Sequence, residues 1–213
     1  MKQQNLAITL PNYQRIFQTV LAILKAEKVE PTKACLYFGF IGARLLRHHF
    51  NLNAKPVTGI AAFRFGAAND TMVFGKTNEH GEPTASSAGF HCWVEVEDWV
   101  IDFQVPLFPD LGSSFGHVIP KDRKMLQKRK ELLARKIEDL KNPGEAMYIQ
   151  DEELTEYYIA RQGDFEFNQD LEEIAVQWFR PVPKKMMPKI GMQDQHGAVR
   201  PVSISSITLV GAW

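Results

Sequence analysis

Residues 90–104 read FHCWVEVEDWVIDFQ, and this stretch leaves the chain little freedom. Both halves are rich in Val, Ile, Trp and Phe, with Glu97-Asp98 between them, which predicts a β-hairpin. A two-residue turn at Glu97-Asp98 sets Val96 opposite Trp99, Trp93 opposite Asp102, and His91 opposite Gln104. Strand alternation then puts His91, Trp93 and Glu95 on one face with Val100, Asp102 and Gln104. His91 and Asp102 become diagonal neighbours, roughly 7–8 Å apart at the backbone, so carboxylate and imidazole can meet. A three-residue turn or a bulge would send the two to opposite faces. Cys92 points the other way with Val94 and Val96 and reads as a small core hydrophobe.

Upstream, residues 13–27 carry Ile16, Phe17, Val20, Leu21, Ile23 and Leu24 at helical spacing, and KVEPT breaks the pattern at Pro31. A second helix is predicted from Thr32, as N-cap, to about His49. Cys35 falls in its first turn. A thiol there meets the positive end of the helix dipole and unpaired backbone N–H groups, and both favour the reactive thiolate. His91 can take the thiol proton and return it to a leaving group, while Asp102 fixes the imidazole tautomer. The Cys35 N–H is a natural donor to an oxyanion. Gln14, Gln18, Trp93 and Gln104 are all conceivable as a second donor. Gly39 and Gly42 lie inside the same helix, where each costs about 1 kcal/mol relative to Ala. They read either as local softness or as close packing against another backbone.

In this order the residues resemble a known superfamily. Transglutaminase-like domains carry a Cys at the start of a helix and then a hairpin with His-x-Trp-Val-Glu-Val followed by an Asp. Here ACLYFGFIGARLLRHHFNLNAKPVTGIAAF has Cys35 leading the helix, and HCWVEVEDWVIDF has His91, Trp93 and Asp102 at the matching places. The resemblance spans residues 32–106. It implies an α+β fold of the papain-like, transglutaminase-like kind, in which the Cys helix packs on an antiparallel β-sheet. It also implies a thiol hydrolase or acyltransferase acting on an amide, ester or thioester through Cys35, His91 and Asp102. Arylamine N-acetyltransferases share the Cys–His–Asp order more distantly. The family's Gly before the Cys is Ala34 here, and its Pro after the Asp is Phe103. These departures bear on substrate class. The alternative is a catalytically inactive member of the fold serving as a binding module. A zinc site is the third reading, because Cys, His and Asp can all ligate zinc.

The remainder is less distinctive. A β-like run covers 55–65. Residues 66–90, rich in Gly, Ala, Ser and Asn, read as a long loop or loop-and-hairpin with a short β piece at Met72–Phe74. A segment of that length is often functional, and it is the expected specificity element. Residues 121–141 predict a basic third helix with an apolar stripe of Met125, Leu126, Leu132, Leu133, Ile137 and Leu140. Such a helix serves as a solvated face or as a site for an anionic partner. Residues 145–177 are acidic and partly helical, 180–201 are connection, and 203–210 predict a final strand.

With 213 residues, 45% of them hydrophobic, the chain can bury one core, and a single domain over 1–213 is expected. Residues 107–213 would be an extension outside the resemblance. The formal net charge is zero, so nothing argues for nucleic acid as a partner. No apolar run is long enough for a membrane span, and the N-terminus has no secretory pattern. Two cysteines make no disulfide framework, which fits a reducing cytoplasm. His48-His49 suit a helix C-terminus, and His80, His117 and His196 lie in loops without metal-ligand spacing. No cofactor motif is present. The expected partner is a peptide, protein or small acyl substrate.

Overall fold

Apolar spacing and proline placement explain the first layer. The computed structural model describes residues 6–66, 70–80, 82–116, 120–162, 166–194 and 196–213. Helix α1 (Leu10–Ala26) has a proline in its first turn, where a missing N–H loses nothing, and starts three residues before the predicted span. It buries Ile16, Phe17, Val20, Leu21, Ile23 and Leu24. A 3-10 turn, Pro31–Lys33, precedes helix α2 (Cys35–Phe50). Thr32 is therefore not the N-cap of α2. The Glu30 carboxylate accepts from the Thr32 N–H and hydroxyl and closes the 3-10 turn instead. Ala34 precedes the helix and Cys35 is its first residue. Asn51 ends α2 in the left-handed conformation, with φ of 55°.

The sheet is built around β1 (Ala54–Arg64). One edge of β1 pairs with β5 (His91–Val96) along Ala54–Gly59, then with β2 (Thr71–Phe74) along Ala61–Arg64. Its other edge pairs with β8 (Ala146–Gln150) along Gly59–Phe63. Between β2 and β5 the chain forms a small ribbon of β3 (Lys76–Thr77) and β4 (Pro83–Thr84). Strand β5 continues to β6 (Trp99–Asp102) and β6 to β7 (Leu126–Arg129), all antiparallel. The fold is thus α+β. Helix α3 (Phe108–Ser114) follows β6, and α4 (Glu152–Ala160) and α5 (Glu166–Trp178) follow β8. A ribbon of β9 (Lys189–Gln193) and β10 (Val199–Ser203) forms in the segment predicted as plain connection and runs two residues past its end. Among the described residues no helix is long and apolar enough to cross a membrane.

The main core joins α1, α2 and α5 to Val94, Val96, Ile101 and Phe103 of the hairpin face. Fully burying such a side chain contributes about 1.5–3 kcal/mol. Gly39 and Gly42 are where the helix meets that face. A Cβ on Gly39 would stand 2.3 Å from the Cys92 Sγ, and one on Gly42 would stand 2.5 Å from the Phe103 ring. Close packing is the reading that holds, although the nearest neighbours are side chains, with the Trp93 carbonyl next at 3.6 Å from Gly39. Cys92 is buried, as the alternation predicts.

Two predicted elements are absent. Residues 121–141 are not a helix. They give β7 and the 3-10 turns Lys130–Leu132 and Ile137–Asp139. The open edge of β6 outweighs local helix propensity, which is a weak preference, and the lysines and arginines suit an edge strand. Arg129 lies over the Trp99 ring at 4.8 Å and pairs with Asp98, and Lys130 pairs with Glu95. Two of the basic residues are thus spent on the hairpin, while Arg123 pairs with Asp110 and Lys124 lies over the Trp213 ring. Residues 204–210 likewise form no strand. Side chains of α1 satisfy part of that backbone: Leu209 N–H donates to Gln14 Oε1, and Gln18 Nε2 donates to the Ile207 carbonyl, while the Ile204 and Val210 N–H groups donate to the Pro188 and Arg123 carbonyls.

Candidate active site

The hairpin has the predicted register. Val96 pairs with Trp99, Glu95 with Val100 and Val94 with Ile101, and Glu97 takes a left-handed φ of 51° in the turn. His91, at the start of β5, and Asp102, at the end of β6, therefore meet on one face. His91 Nε2 lies 2.7 Å from Asp102 Oδ2, and both residues are fully buried.

Asp102 is held on every side. Its Oδ2 also accepts from the Tyr148 hydroxyl at 2.7 Å, and its Oδ1 accepts from the Gln104 N–H at 3.0 Å. The Tyr13 hydroxyl donates to its backbone carbonyl. Tyr148 enters from β8, opposite Ala61 of β1, and packs edge-on to Trp93 with ring centroids 5.0 Å apart. Burial, then the Asp102 charge, pushes its phenol well above the ordinary value, so it stays protonated and donates.

The His91 ring is enclosed by Phe74, with centroids 4.5 Å apart, and Phe108, at 5.7 Å. Burial alone would lower its pKa. The charge and hydrogen bond of Asp102, followed by Cys35, outweigh burial and push it up to about 10. With Nε2 committed to Asp102, the buried Nδ1 has no oxygen or nitrogen partner, and the remaining group that acts on the ring is the Cys35 thiol. Cys35 is half-buried and lines the same cavity as His91. The Cys35 thiol thus sits at the first residue of α2, close enough to the His91 ring to help raise its pKa. The Ala34 methyl has no acceptor to occupy the unpaired N–H groups of that helix start. Cys92 is set apart from this chemistry. Burial, then the charges of Cys35 and Asp102, pushes its thiol well above the ordinary value.

The cavity of about 510 Å³ opens where β2 and β5 diverge along β1, between the start of α2 and helix α3. The predicted specificity segment supplies part of the wall through Gly75 and Ser87–Phe90. Ala67–Asn69 and Gly81 of that segment lie outside the described residues. Of the four residues weighed as a second oxyanion donor, Gln104 lines the cavity, with Nε2 donating to the Pro31 carbonyl at 2.9 Å. Gln14 and Gln18 are tied to the C-terminal segment, and Trp93 Nε1 donates to Glu95.

Among the described residues no group of three or more His, Cys, Asp and Glu is arranged to hold a metal ion. His49 bonds the Val176 carbonyl, and burial lowers its pKa. His117 lies outside the described residues. Tyr148 is the site residue the sequence reading missed. It lies forty-six residues beyond Asp102, in a segment read as acidic and partly helical. The one signal that could have found it is AMYIQ, a short apolar run after the Asn142-Pro143-Gly144 break.

Comparison with known proteins now gives a family. Residues 9–213 match the proteins of unknown function grouped as DUF2026. The chain belongs to the DUF2026 family. A crystal structure described only as a genomics target is similar over 100% of both chains, at 29% identity and a TM-score of 0.86. No curated protein matches.

Proposed function

We propose that this DUF2026 member is a thiol hydrolase or acyltransferase of the transglutaminase-like, papain-like kind. The observation that carries the reading is the polarity of His91. One nitrogen is fixed to a carboxylate by a 2.7 Å bond, the other is buried with no oxygen or nitrogen partner, and the Cys35 thiol at a helix start acts on the same ring. Asp102 keeps the imidazole oriented and charged, as the third member of such a set does.

In the first step the Cys35 thiolate attacks the substrate carbonyl carbon. The S–C bond forms and the carbonyl π pair moves to oxygen. The Cys35 N–H meets that oxyanion, with the Gln104 side-chain amide as second donor. The oxyanion collapses, the bond to the leaving group breaks, and His91 Nδ1 donates its proton to that group. Water or an amine then gives a proton to Nδ1 and attacks the thioester carbon. The S–C bond breaks, and thiolate and imidazolium are restored.

The test is the rate of Cys35 alkylation by iodoacetamide against pH, in wild type and His91→Ala, with Cys35→Ala as the blank for buried Cys92. A free thiol titrates near pH 8.5. Wild type is expected to alkylate at about pH 6 at least tenfold faster than His91→Ala. Superimposed curves rising near the free-thiol value would mean that His91 does not act on Cys35, and the proposal would fall.

A further inference from the structure

The cavity beside Cys35 is apolar in a way that no step above requires. Strand β2 contributes Met72 and Phe74, and α3 with the residue after it contributes Leu111 and Phe115. Phe90, also in the wall, stacks on Tyr158 at 4.9 Å, and the Tyr158 phenol is pushed up by burial and then by the Cys35 charge. An aromatic pair therefore stands within electrostatic reach of the sulfur. No Asp or Glu occurs among the described lining residues. Apart from the Asp102-bound His91, Lys33 is the one cation there, and it is exposed at the rim.

Phe115 is 70% exposed at the mouth of this cavity. A large aromatic left in water beside a reacting thiol gains free energy when a ligand covers it. A cationic group entering the same space would lose hydration and meet no carboxylate among the described lining residues, and an anionic one would meet beyond His91 only Lys33 at the rim, away from the apolar wall. The volume falls in the range of small-molecule sites, whose walls are mostly apolar with a few polar groups fixing orientation.

We propose that the acyl group transferred through Cys35 is uncharged and apolar, an aliphatic chain of several carbons or an aromatic acyl group, seated between β2 and α3. This rests on the thiol reading above. The reporter reaction is acylation by a p-nitrophenyl ester. The S–C bond forms, the C–O bond to p-nitrophenol breaks, and the pair leaves as p-nitrophenolate.

Acylation is followed by intact mass and p-nitrophenolate release for the acetate, butanoate, hexanoate, 3-phenylpropanoate and monosuccinate esters. Each rate is divided by that of N-acetylcysteine with the same ester. One fully buried methylene corresponds to about fourfold. With the cavity open on one side, the hexanoate or phenylpropanoate rate should exceed acetate by at least about tenfold, with succinate at or below acetate. The larger gain of the two tells chain from ring. In Phe115→Ala and Leu111→Ala the apolar-to-acetate ratio should shrink at least threefold. Rates flat across the series, or succinate fastest, with Cys35 still acylated, would overturn this proposal and leave the thiol reading standing. Acylation equal in wild type and Cys35→Ala would overturn the thiol reading and this proposal together.

Discussion

Between Cys35 and Asp102 the groups proposed to react are placed by regular elements: the first residue of a helix and the two ends of one hairpin. Beyond residue 107 the chain does different work. It supplies the edge strand β7 and the strand β8, and a C-terminal segment fastened by the Gln14 and Gln18 side chains across nearly two hundred residues of sequence. The first region rests on shared apolar burial with α1. The second adds α5 to that core and two strands to the sheet, and its last segment is fastened by single hydrogen bonds. Changes in the first region should therefore act on charge and close packing, and changes in the second on how firmly the site is held.

The largest expected effect lies in the first region and depends on pH. An unfolded chain releases the His91 proton near 6.5, whereas the folded chain holds it to about 10. Below about 6.5 both states are protonated and the stabilisation is present in full. It shrinks as pH rises from 6.5 and is gone above 10, on the order of a few kcal/mol for a buried pair. Urea midpoints of wild type and His91→Gln, measured from pH 6 to about 10, should converge as pH rises. A constant gap between the two curves would show that His91 does not keep its proton on folding.

Gly39 comes next. In an open helix, Gly→Ala gains about 1 kcal/mol. Here the new Cβ would stand 2.3 Å from the Cys92 Sγ inside the core, so Gly39→Ala should lose about 1–3 kcal/mol. A chemical denaturation midpoint checks the sign. A stabilised variant would return the glycine to the soft-helix reading.

The same contrast explains what could be read in advance. The Cys35 helix, β1 and the hairpin follow from period and alternation, because a helix face and a strand face each repeat over several residues. The 2.7 Å contact of His91 with Asp102 then follows from register alone. Residues 121–141 failed because Met125, Leu126, Leu132 and Leu133 mimic a helical stripe, while the deciding interaction is the edge of β6, more than twenty residues earlier. SISSITLV failed for a related reason: its backbone partners are scattered, two of them side chains of α1 and others the Pro188 and Arg123 carbonyls, which no local alternation encodes. Tyr148 shows both effects, since its strand is short and its partner Asp102 lies on a strand it does not pair with.

Tyr148→Phe therefore measures how much the second region matters to the first. The substitution keeps the ring against Trp93 and removes one hydrogen bond to Asp102 Oδ2. Losing a charge-assisted bond of this kind costs about 1.5–3 kcal/mol at most. The His91 and Gln104 bonds to the carboxylate remain, so stability should fall by about 1 kcal/mol. Asp102, with one donor fewer, would accept more strongly from His91 but be less firmly oriented. Ester turnover at Cys35 should fall about tenfold, and the pH profile of Cys35 alkylation should shift relative to wild type. A residue that merely fills space would lower stability and leave that profile in place. An unmoved profile would confine Tyr148 to packing and place the whole of the chemistry in residues 35–104.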